Sequence, residues 1–75
     1  MKPLKCLSEI KGPARLVFVT VRGDGVRKLQ DMGLLPGEKF GLIHNADHGP
    51  VMISLKGTTL AIGARLAHKI MVREA

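Results

Sequence analysis

The spacing of apolar residues changes several times along the chain, and each change predicts an element. Residues 14–21, Ala-Arg-Leu-Val-Phe-Val-Thr-Val, are rich in β-branched and aromatic side chains and predict a strand. Positions 16–19 are all apolar, so either both faces of this strand are covered or a bulge shifts its register midway. From Asp24 to Met32 the period lengthens. Val26, Leu29 and Met32 fall three apart, as on one stripe of a short helix. Asp24 is placed to accept hydrogen bonds from the first-turn N–H groups, Gly33 to close the helix in the left-handed conformation, and Pro36 to end it. Two turns of helix are not stable alone in water, so Val26 and Leu29 are expected to pack on the sheet.

After the turn signal Pro36-Gly37 the period returns to two. Phe40, Leu42 and His44 are expected on one face of a strand. Beyond a polar loop at 45–50, Val51, Ile53 and Leu55 alternate with Met52, Ser54 and Lys56. Lys56-Gly57-Thr58 predicts a tight hairpin turn with Gly57 at positive φ. Leu60 and Ile62 then face inward, residues 63–67 make one helical turn, and a last strand runs from about 68 to 72 with Ile70 and Val72 inward. At the other end, residues 7–13 predict a single turn capped by Ser8 and stopped by Gly12-Pro13. The sum is a mainly β chain of about five short strands with one short helix and short helical turns. A small barrel or half-open roll buries such strands while limiting their exposed edges. Seventy-five residues are enough for one domain, 1–75, with a thin core.

Composition adds partners and compartment. Apolar residues make up 45% and charged residues 24% of the chain, which is a folding composition. The single cysteine, Cys6, has no internal partner for a disulfide. Ser8, Glu9 and Lys11 interrupt any apolar run after Lys2 and Lys5, and no stretch approaches the ~20 apolar residues of a membrane span. A cytoplasmic protein without direct membrane insertion is expected. Twelve Lys and Arg against six Asp and Glu give a formal charge of +6, but the basic residues are scattered, as on a solvated surface.

Four pieces of the sequence, in order, bear a family likeness. Leu29-Gln-Asp-Met32-Gly33-Leu-Leu35-Pro36-Gly37 resembles the L-x-x-M/L-G-L/I-x-P-G signature of FeoA, the ferrous iron transport protein A family. Gly49-Pro50-Val51, the run Gly57-Thr-Thr-Leu60-Ala-Ile-Gly63, and Ala67-His-Lys-Ile70-Met-Val72 resemble further pieces of that pattern. Leu7-Ser-Glu-Ile10-Lys-Gly12 resembles its opening loosely. The resemblance implies an SH3-like β-barrel acting beside FeoB, the Fe²⁺ permease that carries a cytosolic GTP-binding domain. It also implies kinship with the C-terminal domains of metal-dependent repressors, although this chain has no helix-turn-helix ahead of the barrel. The signature residues read as structural: Gly33, Pro36 and Gly37 set backbone geometry, while Leu29, Val51, Ile53, Leu60, Ile70 and Val72 fill a core.

The side chains supply little for catalysis. Glu9, Asp24, Asp31, Glu38, Asp47 and Glu74 form no evident pair, Ser8 and Ser54 sit in no nucleophile motif, and Gly23-Asp24-Gly25 lacks the length of a phosphate loop. No enzyme and no resident cofactor are expected. His44, Asp47 and His48 lie within five residues and could give Zn²⁺ or Fe²⁺ three ligands, with Cys6 and His68 the other donors a fold could add. Lacking a fourth ligand, this loop is expected to bind metal weakly. Nucleic acid is the alternative partner on charge alone. The only aromatics, Phe18 and Phe40, lie in apolar strand patterns rather than on a stacking platform, so nucleic acid is not expected. Protein binding remains, at the corner after the helix: Leu34, Leu35 and Pro36, with Met32 below and Arg27 and Lys28 beside them. Self-association through an edge strand at 38–44 is the neighbouring expectation.

Overall fold

The computed structural model describes residues 3–46 and 49–75. Six strands, β1 (Lys5–Cys6), β2 (Ala14–Val21), β3 (Lys39–Asn45), β4 (Val51–Leu55), β5 (Thr58–Ile62) and β6 (Ile70–Glu74), form one sheet in the order β1-β6-β2-β3-β4-β5. Every neighbouring pair is antiparallel. Helix α1 (Val26–Asp31) links β2 to β3, α2 (Ala64–Ala67) links β5 to β6, and 3₁₀ turns occupy Leu7–Glu9 and Gly23–Gly25. The strand beyond the five expected is β1, whose two residues are too short to show any alternation. Among the described residues β5 does not pair with β1, so the sheet is an unclosed, barrel-like roll. Its extents of 27 × 25 × 24 Å confirm the curl, because a flat sheet would be far thinner in one direction.

The core lies inside the roll. Val51, Ile53 and Leu55 of β4 point into it at the period of two read from the sequence. They meet Leu16 and Phe18 from β2, Phe40 and Leu42 from β3, and Ile70 and Val72 from β6. No polar or charged side chain is buried among the described residues, so burial is almost purely apolar. The blurred alternation of β2 is a bulge: its register with β6 slips between Phe18 and Thr20. A second slip falls in β3, between Leu42 and His44. His44 therefore does not share the buried face of Phe40 and Leu42, and Ile43 and His44 are both exposed.

Four local expectations are corrected. The first turn is not capped by Ser8. Instead the Glu9 carboxylate accepts the backbone N–H of Cys6 at 3.0 Å, while the Ser8 hydroxyl shares a 2.9 Å hydrogen bond with His68 Nδ1. Asp24 does not cap α1, whose N-cap is Gly25 with no side-chain bond, because the 3₁₀ turn draws Asp24 inside itself. The last strand begins at Ile70, since helical hydrogen bonds continue to His68. Finally, β3 is not an edge. It lies between β2 and β4, so residues 38–44 offer no open ladder for self-association.

The β4–β5 hairpin turns in two residues, with Leu55 opposite Thr58. Both Lys56 (φ 51°) and Gly57 (φ 80°) lie at positive φ, as a type I′ turn requires. Among the described residues no helix is long and apolar enough to cross a membrane.

Candidate functional site

The corner between α1 and β3 is held by its own backbone. Gly33 donates to the carbonyl of Gln30 at 2.9 Å and Leu34 to that of Leu29 at 2.9 Å. With Gly33 at φ +86°, this pair of bonds is a Schellman closure. A second turn follows at once. Glu38 donates to the Leu35 carbonyl at 2.9 Å, with Pro36 and then Gly37 (φ 91°) between them, the residue pair a type II turn favours. Gly37 donates to the Phe18 carbonyl at 2.8 Å and Phe18 to that of Glu38 at 2.9 Å, so the corner is fastened to β2.

This geometry sorts the candidate residues. Arg27, Lys28, Leu35 and Pro36 are exposed, and Met32 is half-buried against the core. Leu34 is corrected: at 1% exposure it fills the core and is not available to a partner. Burying a leucine stabilises the fold by roughly 1.5–3 kcal/mol, so turning Leu34 outward is costly. Leu35, at 44%, is left in solvent. The helical stripe predicts Val26 in the core with Leu29, yet it is 47% exposed. A six-residue helix buries one position fully, and that position is Leu29. Val26 and Pro36 instead border a shallow groove of about 90 Å³ between α1 and β2, floored by Phe18, Leu29 and Leu34. The site thus contains an apolar residue that the helical stripe had assigned to the core. Only the helix's shortness could have signalled its exposure.

Of the metal candidates, His44, Cys6 and His68 lie among the described residues. His44 is exposed, while Asp47 and His48 lie outside the described residues. Among the described residues no three His, Cys, Asp or Glu side chains cluster as ligands. Cys6 and His68 engage other partners. The Cys6 thiol meets Met71 Sδ at 3.7 Å and receives an Arg22 N–H at 3.0 Å, whereas His68 is bonded to Ser8. Phe18 and Phe40 are 3% and 5% exposed, so neither offers a stacking surface to nucleic acid.

Known proteins resemble this chain over nearly its whole length. The family model described as the FeoA domain matches residues 5–74. A curated relative from Methanocaldococcus jannaschii, named putative Fe(2+) transport protein A, is 48% identical over 50 residues. That alignment covers 67% of this chain and 60% of the relative. A crystal structure described as iron uptake regulatory protein (FeoA) superposes with a TM-score of 0.88 at 33% identity, covering 97% of this chain and all of the other. A manganese-dependent transcriptional repressor superposes with a TM-score of 0.89 over the whole of this chain and 44% of its own. At 14% identity, that likeness shows the fold alone.

Proposed function

Because the chain belongs to the FeoA family, we propose that it is a cytoplasmic accessory protein of ferrous iron uptake that binds the cytosolic part of a FeoB-type Fe²⁺ permease and modulates it. The observation that carries the reading is the corner at residues 32–37. Its backbone is fixed by two consecutive turns, and it presents Leu35 and Pro36 to solvent beside Val26, Arg27 and Lys28. A rigid apolar anchor with basic neighbours suits a protein partner, because little conformational entropy is lost on docking. The basic pair would favour an acidic rim opposite. On this reading the chain acts by contact, no residue set on this surface suggests a reaction, and iron is the cargo of the permease.

The reading is tested by titrating isotope-labelled protein with the cytosolic GTP-binding domain of the permease, with and without nucleotide. Amide shifts concentrated between Val26 and Gly37 are expected. Shifts confined to another face, or none with either the isolated domain or the full permease, would overturn the assignment.

A further inference from the structure

The outer face of the sheet carries a basic hollow that the corner does not use. Arg15 of β2, Gly41 of β3 and Ser54 of β4 are register partners in one row across three strands. Lys39 precedes Gly41 by two residues and so shares its face. Lys56 follows Ser54 by two, at the hairpin turn. With Phe40, these residues line an open hollow of about 310 Å³.

Gly41 creates the space. The row has side chains on both sides of it, and a Cβ built at Gly41 would meet nothing nearer than Ser54 Cβ, at 3.9 Å. Arg15, Lys39 and Lys56 are all exposed at the rim. Lys56 Nζ lies 3.4 Å from the Glu38 carboxylate, a surface pair that a better anion displaces at little cost. Among the described residues Arg15 and Lys39 take part in no ion pair. A guanidinium fork, two ammonium charges and a hydroxyl around a floor without a side chain match the oxygens of a phosphate group. With both phenylalanines in the core, no aromatic platform is at hand for a base, so recognition falls on the phosphate itself.

We propose that the hollow formed by Arg15, Lys39, Ser54 and Lys56 around Gly41 is a binding site for a phosphate group, carried by a soluble phosphate ester or by an anionic phospholipid head group. The site shares no residue with the corner and does not depend on the permease reading.

The test titrates the isotope-labelled chain with inorganic phosphate and, in parallel, with chloride at equal ionic strength. Vesicles of phosphatidylglycerol in phosphatidylcholine form a second arm, read by co-sedimentation. The decisive variant is Gly41→Val, which puts a branched side chain on the bare floor of the hollow while keeping every cation. Valine suits a strand better than glycine, and its Cβ has room, so the fold is expected to survive. Saturable shifts at Lys39, Gly41 and Ser54 with phosphate but not chloride, abolished in Gly41→Val, support a soluble ester. Vesicle retention of the wild type and not of Gly41→Val supports the lipid head group. Should Gly41→Val lose its native spectrum, Arg15→Gln with Lys39→Gln takes its place. Failure of both arms, or binding that survives in the variant, overturns the proposal.

Discussion

The backbone N–H of Leu34 donates to the carbonyl of Leu29 across 2.9 Å, and both side chains are 1% exposed. That bond helps to close the helix, with Leu29 inside it and Leu34 just past its end both seated in the core. Its consequence is that the next residue, Leu35, is turned outward. The two adjacent leucines should therefore respond oppositely to substitution. Leu34→Ala is expected to lower stability by about 2–5 kcal/mol, because a filled core position is emptied. Leu35→Asp is expected to change stability by no more than about 0.5 kcal/mol while abolishing binding at the corner. Urea unfolding of both variants, paired with the permease-domain titration, checks this. Unchanged affinity in Leu35→Asp would remove the corner from the proposed interface.

Gly25 is a buried glycine whose role is packing rather than φ, which is −80°. A Cβ there would stand 2.7 Å from Leu66 Cδ1 and 3.0 Å from Val21 Cγ2. Gly25→Ala is thus expected to destabilise by about 1–3 kcal/mol through overpacking, and alanine is also the poorer N-cap for α1. The Leu66 methyl is the nearer obstacle, so Leu66→Ala should cost less in the Gly25→Ala background than in the wild type. A double-mutant cycle in urea measures that coupling, and strictly additive effects would refute the steric account.

Much of this fold is legible in the chain because its clearest signals are local. The alternation of Val51, Ile53 and Leu55 needs no tertiary information, nor does the glycine that stops α1. The misses share a physical cause. A register slip at Ile43 is fixed by pairing with β4, and the exposure of Val26 by how short a helix the sheet accommodates. Neither is written in the local period. The two residues of β1 exist as a strand only because β6 is there to pair with them. At the corner, sequence marks Leu34 and Leu35 as equal candidates, and the Schellman bond decides between them. The basic hollow is harder still to foresee: Arg15, Gly41 and Ser54 become neighbours only through the register of three strands.

Lys56 is the only non-glycine residue at positive φ among those described, at 51°. Its type I′ turn favours asparagine at that position, whose side chain tolerates the left-handed region better than lysine's. Lys56→Asn is expected to raise stability by about 0.5–1 kcal/mol, since the exposed pair with Glu38 that it removes is worth little. A higher urea midpoint at unchanged slope would bear this out. A lower one would mean that the Glu38 contact outweighs the turn.

Glu9 gives the fold a dependence on acid. Its carboxyl titrates below the usual glutamate range, first because it accepts the backbone N–H of Cys6 and further because Lys5 and Arg22 are near. A carboxyl whose pKa is lower folded than unfolded contributes stability above its unfolded value, and loses it as pH falls through the folded one. Glu9→Gln keeps an acceptor for Cys6 but removes the charge. The wild type should therefore be the more stable of the two at neutral pH. The difference should shrink once pH drops below the ordinary glutamate value and vanish below the depressed one. Urea unfolding of both proteins from pH 7 down to pH 3 follows that difference directly. Stability curves that stay parallel through the acid range would show that the charge on Glu9 does not hold the first turn.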